Sequence, residues 1–135
     1  MPEACAMSVH QAIREADACL PGEPVEVGED PRWQAIIAVE GYIESEPEAV
    51  WKFIRRWGGH PQEDLRDAIA TCLLEHLLEL HFAKFFTRVE QAALEEPLFG
   101  DTFLRCWQLG QSEQPDNAER FQLLRSRLID QSDMP

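Results

Sequence analysis

Basic residues are scarce in this chain of 135 residues. It has 12 lysines and arginines against 25 aspartates and glutamates, which gives a formal net charge of -13. A protein that binds nucleic acid needs lysine and arginine to neutralise phosphates and release their counterions. The composition therefore disfavours a nucleic-acid-binding protein. It favours a basic protein partner, or an acidic surface that only keeps the protein in solution.

Long apolar runs and a cationic N-terminal segment are also missing. A membrane-spanning helix needs about 20 consecutive apolar residues, and a cleaved signal peptide needs a basic segment before an apolar one. The cysteines form no Cys-x-x-Cys pair, so no zinc knuckle or redox motif is predicted; they are Cys5, Cys19, Cys72 and Cys106. We therefore expect a reduced, cytoplasmic protein that does not bind membranes.

Sustained alternation of polar and β-branched residues, the signal of a strand, is absent too. Segments with helical periodicity are instead separated by proline and glycine, which predicts an all-α fold of about six helices. The fold is either a stack of helical pairs or a compact helical bundle. With 44% hydrophobic residues the chain can form one domain with a hydrophobic core. Within it we expect an N-terminal helix and acidic loop (1–31), two helical pairs (32–94) and C-terminal capping helices (95–135).

The strongest helical signal lies in residues 61–94, which predict a pair of helices. In the first helix apolar side chains recur on one face, and Leu74 and Leu78 lie on the opposite side. A helix that is apolar nearly all round must be covered on several sides. We therefore expect this helix to be central. The second helix is amphipathic, and its apolar face comprises Phe82, Phe85, Phe86 and Val89.

A helix predicted before this pair carries the one concentrated basic patch of the sequence. Ser45 and Glu48 have the spacing of a capping box at its start. Arginine and tryptophan are frequent in the hot spots of protein interfaces, which makes the patch a candidate binding site. A solvated helix face paired with nearby acids explains it equally well. The patch comprises Lys52, Arg55, Arg56 and, at its margin, Trp51.

Two segments of the sequence align with each other at an offset of roughly 30 residues, the range of helical-pair repeats. Residues 64–73 resemble the Asp-x-Arg core of HEAT and armadillo-type repeats, and the copy that begins at Asp30 is degenerate. The resemblance covers roughly residues 30–94 and implies a stack of helical pairs. It also implies that four residues help to hold neighbouring repeats together: Asp30, Arg32, Asp64 and Arg66. A compact bundle with an accidental match is the alternative.

One constellation of residues could carry chemistry. Cys72, His76 and Glu79 are spaced by four and three residues and share one side of the central helix. Thiolate, imidazole and carboxylate are all zinc ligands. The spacing matches no known zinc or di-iron motif, and a buried cysteine and histidine on an apolar face are more often packing residues. No catalytic residue and no cofactor are predicted.

The leading functional hypothesis is a non-catalytic protein-binding module with a basic partner. Its sharpest form is an immunity protein that neutralises a basic, nuclease-type toxin. The contact candidates are the acidic residues Glu23, Glu26, Glu29, Asp30, Glu63 and Asp67, with Trp51, Lys52, Arg55 and Arg56.

Two alternatives come from other classes. One is a metal-binding enzyme or sensor that uses Cys72, His76 and Glu79. The other is a structural homodimer that pairs through an exposed Trp51 or through a face made of Phe99, Phe103 and Trp107.

Overall fold

A computed structural model describes residues 8–20, Gly22 and residues 30–132 of the chain. All regular structure in these ranges is helical, which confirms the predicted all-α class. None of the described helices is long and apolar enough to cross a membrane. The elements in chain order are α1 (Val9–Cys19), α2 (Pro31–Glu40), α3 (Pro47–Trp57), α4 (Glu63–Ile69), a π-helical turn (Ala70–Leu74), α5 (Glu75–Glu95), α6 (Pro97–Leu104), a 3-10 turn (Gly110–Glu113) and α7 (Pro115–Ser132).

At the starts of α2 and α3 an acidic residue precedes a proline, but the acidic side chain caps only α2. Asp30 caps α2, because its Oδ1 accepts from the backbone N–H of Arg32 at 2.9 Å and Pro31 begins the helix. The capping box predicted for α3 is wrong. Pro47 fixes the first helical position, so Glu46 is the N-cap and makes no side-chain cap, and Ser45 lies one residue too early.

The predicted central helix is the continuous run formed by α4, the π-helical turn and the first half of α5. Its side chains are buried on several sides, as expected for a helix that is apolar nearly all round; Leu73, Leu74, Leu77 and Leu78 have no exposed surface. The run is broken at His81, whose φ of -139° and ψ of 43° are non-helical. This break separates the two helices that the sequence predicts.

The helices pack in two layers. We call α2 with its N-cap Asp30, residues 63–80, and α6 with its C-cap Arg105 layer A, and we call α1, α3, residues 82–95 and α7 layer B. Within layer A, Arg32 pairs with Asp64 near the starts of their helices, and Glu40 lies near His76 further along. Within layer B, Glu48 pairs with Arg88 and Arg55 pairs with Glu96. These contacts join the start of one helix to the start of the next and the end of one helix to the end of the next. Neighbouring helices within a layer therefore run in the same direction.

The core between the layers is rich in phenylalanine. Trp51 belongs to it, since it is 9% exposed and its ring lies 5.9 Å from that of Phe99 and 6.2 Å from that of Phe85. The predicted exposure of Trp51, and of a face with Phe99 and Phe103, is therefore wrong. Helical spacing in α6 directs both phenylalanines inward, and the helix ends at Leu104, before Trp107. The fully buried rings are Phe53, Phe82, Phe85, Phe86, Phe99, Phe103 and Phe121.

Candidate interaction face

Positive and negative charges are divided unequally between the two layers. Of the 12 basic residues, layer A holds Arg32, Arg66 and Arg105. The others lie on helices of layer B: Arg14, Lys52, Arg55, Arg56, Lys84, Arg88, Arg120, Arg125 and Arg127. Layer A in contrast carries Asp30, Glu40, Glu63, Asp64, Asp67, Glu75, Glu79 and Asp101. Carboxylates therefore outnumber guanidinium groups on layer A, which gives it a net negative charge.

Arg32 joins two neighbouring helices of layer A from a buried position. It is 3% exposed, and its Nη2 donates to Asp30 Oδ2 at 2.9 Å and to Asp64 Oδ2 at 3.0 Å. The hydrogen bond to Asp30 raises the pKa of Arg32, although burial opposes the shift. Arg32 thus links Asp30 and Asp64, two residues that the sequence assigns to different repeat copies.

Arg66 makes the same kind of link one helix further on. It is 7% exposed, its Nη1 donates to the carbonyls of His60 and Pro61 at 3.0 and 2.8 Å, and its Nη2 donates to Asp101 at 3.0 Å. Burial raises the pKa of Asp101, but hydrogen bonds from Arg105 and Arg66 outweigh it and the net shift is downward. At two places in this layer, therefore, an arginine of one helix is paired with an aspartate of the next helix.

A second cluster, which we call the His76 cluster, lies further along the same layer and comprises His76, Glu40, Glu75 and Glu79. His76 Nδ1 lies 2.8 Å from Glu79 Oε1, so in the neutral ring Nδ1 carries the proton and donates. His76 Nε2 lies 3.7 Å from Glu75 Oε2 and 3.8 Å from Glu40 Oε2. These two distances are too long for hydrogen bonds. The cluster spans α2 and α5.

Glu75 is the buried member of the His76 cluster. Its side chain is 9% exposed, and its Oε1 accepts from the backbone N–H of Trp107 at 2.9 Å. Burial raises the pKa of this carboxyl, and the bond from Trp107 only partly offsets the effect. The π-helical turn ends directly before Glu75, and such irregular helical turns are frequent at functional sites.

Trp107 and Gly110 complete the rim of this cluster. Trp107 follows α6 and is 71% exposed, while its backbone is held by Glu75. Gly110 adopts a φ of +50°, and a Cβ on it would lie 2.5 Å from Glu79 Cγ. Glycine is needed there because both the left-handed backbone and the close approach exclude a side chain.

The predicted metal trio is brought together only in part. His76 contacts Glu79, but burial, with the nearby carboxylates of Glu40 and Glu75, raises the pKa of the Cys72 thiol. A thiol with a raised pKa is a poor metal ligand and a poor nucleophile. Within the described ranges, no three His, Cys, Asp or Glu side chains are placed so that they could hold a metal ion.

The predicted basic patch is largely occupied by contacts within the chain. Arg55 Nη2 donates to Glu96 at 2.7 Å and Arg56 Nη2 donates to Asp17 at 2.8 Å, whereas Lys52 is exposed. Trp51 is buried in the core and cannot contact a partner. Of the acidic candidates, Glu63 and Asp67 are exposed, Asp30 is half-buried, and Glu23, Glu26 and Glu29 lie outside the described residues.

Sequence reasoning did not assign Glu40 or Glu75 to a site, and it placed Trp107 on a possible homodimer face and not beside His76. No local pattern links them, because they come from α2, α5 and the segment after α6. The sequence carries no signal for Trp107, because its spacing of four residues from Phe103 continues the helical pattern although the helix ends at Leu104. Their proximity depends on which helices are neighbours.

Comparisons with known proteins identify a family. A search of curated proteins and a search of solved structures gave no match. The model of DUF6869, described as a family of unknown function, matches residues 22–129. Because that match spans most of the length of this chain, the chain belongs to the DUF6869 family.

Proposed function

We propose that this protein is a non-catalytic binding module that holds a basic protein partner on layer A. The observation that carries the proposal is the unequal division of charge. Layer A keeps its three arginines in contacts with its own aspartates and glutamates. Glu63 and Asp67 lie 2.6 and 3.6 Å from Arg105, and their side chains are still 72% and 53% exposed. A face with an excess of exposed carboxylates attracts a basic surface and increases its rate of association.

The rigidity of layer A supports the same proposal. Arg32 and Arg66 tie its three helices together from buried positions, so the exposed carboxylates are held in a fixed arrangement. A preorganised surface loses less conformational entropy when a partner binds. Trp107 adds an exposed aromatic surface, and tryptophan is enriched among the residues that dominate binding energy.

One form of the partner is a basic toxin of the nuclease type, which an acidic immunity protein would neutralise. Such a toxin carries cationic surface because it binds phosphates. An acidic face could cover that surface and compete with the nucleic acid. The compartment that suits this form is the cytoplasm.

The proposal can be tested with oligolysine as a basic probe, by calorimetry at low and at moderate salt. We expect saturable binding that weakens as salt is added, because exposed charges are screened. Glu63→Gln with Asp67→Asn should weaken binding. Glu119→Gln with Asp130→Asn, a matched pair of exposed acids on α7 of layer B, should leave it nearly unchanged. Equal effects of the two pairs, or no binding at low salt, would overturn the proposal.

A further inference from the structure

A cleft of about 310 Å³ lies between the end of α6, with the segment after it, and one face of α7. Gln122 and Arg125 are three residues apart on α7, so they share the face that forms one wall. Residues 104–108 form the opposite wall and include the exposed Trp107. Gln122 Nε2 donates to Gln108 Oε1 at 2.6 Å, which joins the two walls. The cleft is therefore formed before a ligand binds, as is usual for small-molecule sites.

The charge of this cleft is opposite to that of the whole protein. The chain has a formal net charge of -13, yet the described residues that line the cleft include no aspartate or glutamate. Two arginines line it, Arg105 and Arg125. Arg105 donates to Asp101 and Glu63, so its charge is neutralised by layer A. The charge of Arg125 is left for the cleft.

Arg125 is partly buried, and it forms no hydrogen bond and no ion pair with any residue that the structure describes. Three other basic residues on the described helices share this lack of partners, but all three are exposed: Arg14, Lys52 and Arg127. Water satisfies an exposed charge, whereas a partly buried guanidinium has lost part of its hydration. Of these four side chains, Arg125 therefore gains most from a bound anion.

We propose that this cleft binds a small molecule that carries one carboxylate on an aromatic body. A guanidinium pairs with a carboxylate through two parallel hydrogen bonds, which gives Arg125 the partner that it lacks. The indole of Trp107 and the side chain of Leu104 line the same cleft and supply apolar contact for a ring. A phosphate, with up to two negative charges, is repelled more strongly than a carboxylate by a protein this acidic. The site is independent of the acidic face, because the cleft takes an acid and layer A takes a base.

The first test compares naphthoate, an aromatic monocarboxylate, with naphthylmethanol, its neutral analogue. ¹⁵N-labelled wild-type protein is titrated with each, and the Nε–H signal of Arg125 and the indole N–H signal of Trp107 are followed. We expect naphthoate to shift both signals saturably. The alcohol should bind about tenfold more weakly, the usual effect of losing hydrogen bonds to a charged group. Equal binding of the acid and the alcohol, or no saturable shift of the two signals, would overturn the proposal.

Variants on α7 assign the binding to one arginine. Arg125→Met removes the guanidinium of the cleft, and Arg127→Met, the matched control, removes an exposed arginine two residues further on. We expect Arg125→Met to weaken naphthoate binding by about tenfold and Arg127→Met by about twofold or less. Arg125→Lys keeps the charge without the two parallel bonds, so its loss should be intermediate. Equal losses in the two methionine variants would remove the site from the cleft.

Thermal melts that match the wild-type melt would show that the variants fold. If Arg125→Met does not fold, the comparison of acid and alcohol on the wild-type protein still decides the proposal. Naphthyl phosphate should bind more weakly than naphthoate, and tighter binding would overturn the assignment to a carboxylate. Oligolysine should bind Arg125→Met at least as strongly as it binds the wild type, so the failure of this site and the failure of the acidic face are distinguishable.

Discussion

Two arginines illustrate how single residues hold layer A together. Arg32 and Arg66 are buried although their charge is permanent, and such a charge is tolerated only when carboxylates and carbonyls surround it. Arg66 satisfies two carbonyls of the turn before α4 as well as Asp101 on α6. Its removal would leave the two carbonyls without this donor and would leave Asp101 with Arg105 as its remaining partner.

Arg66→Ala should therefore lower the free energy of unfolding by about 3 kcal/mol, the usual effect of removing one partner of a buried ion pair. Arg56→Ala is the matched control, since Arg56 and Asp17 form a pair that is 49% and 35% exposed. The control should cost below about 1 kcal/mol. Urea unfolding of both variants provides the measurement, and a similar loss in the two would contradict the role given to Arg66.

Glu75 should make the protein less stable at neutral pH than it would be with a neutral side chain. Burial raises its pKa in the folded protein, while the unfolded chain keeps the ordinary value of about 4.5. Below that value both states hold the proton. Above it the unfolded chain releases the proton first, so stability falls as pH rises toward the folded pKa.

Glu75→Gln should therefore unfold at a higher urea concentration than the wild type at pH 7, and the two should converge below about pH 4.5. The amide oxygen can still accept from Trp107. A variant that is less stable than wild type at pH 7 would show that ionised Glu75 stabilises the fold.

Several site residues could be predicted from the sequence, and others could not. The spacing of Cys72, His76 and Glu79 placed His76 and Glu79 on one side of a helix, and the structure joins them. Glu40 could not be assigned to the same cluster, because nothing in α2 indicates where along α5 it will lie. Trp51 was misplaced because helical spacing alone does not decide whether a residue at the margin of a face is covered by a later helix, here α6.

At the scale of elements, the break at His81 is held by residues distant in sequence. His81 Nε2 donates to the carbonyl of Ile43 at 3.0 Å. Gln111 bridges the break itself, since its Oε1 accepts from the Phe82 N–H at 2.9 Å and its Nε2 donates to the Leu80 carbonyl at 2.8 Å. One amide side chain thus satisfies backbone groups on both sides of the break.

Gln111→Ala should lower the free energy of unfolding by about 1–3 kcal/mol, because two backbone groups lose their partners. Amide exchange at Phe82 should become faster. Gln111→Glu keeps the acceptor for Phe82 but loses the donor to Leu80, so it should also destabilise. Gln91→Ala, which removes only an exposed bond to Glu95, is the control. Unchanged exchange at Phe82 in Gln111→Ala would contradict the bridging role.

The helices themselves were largely predictable, and their irregularities were not. The helical periodicity of the apolar residues and the flanking prolines located each helix, because those signals are local. The π-helical turn at residues 70–74 and the bridge by Gln111 depend on contacts with other helices. Nothing in the sequence around Gln111, which lies between α6 and α7, indicates that its side chain supports the central helix.

At the scale of the whole molecule, the two layers differ in net charge. Acidic residues outnumber basic residues in the sequence as a whole, and the fold concentrates this excess on layer A. Along the sequence, basic residues are spread through almost every helix. Only the layers reveal that the arginines of layer A are committed to its own carboxylates. The resemblance to HEAT and armadillo repeats stays a prediction, and the pair of Arg32 with Asp64 is the contact that favours it.

The most direct test of the acidic face is to map where a basic probe binds. ¹⁵N-labelled protein is titrated with oligolysine at low salt, and amide and indole shifts are followed. We predict saturable changes at Glu40, Asp67, Glu75 and the Trp107 indole, with little change on α1, α3 or α7. Changes that concentrate on layer B, or that spread evenly over both layers without saturation, would contradict a basic partner held on layer A.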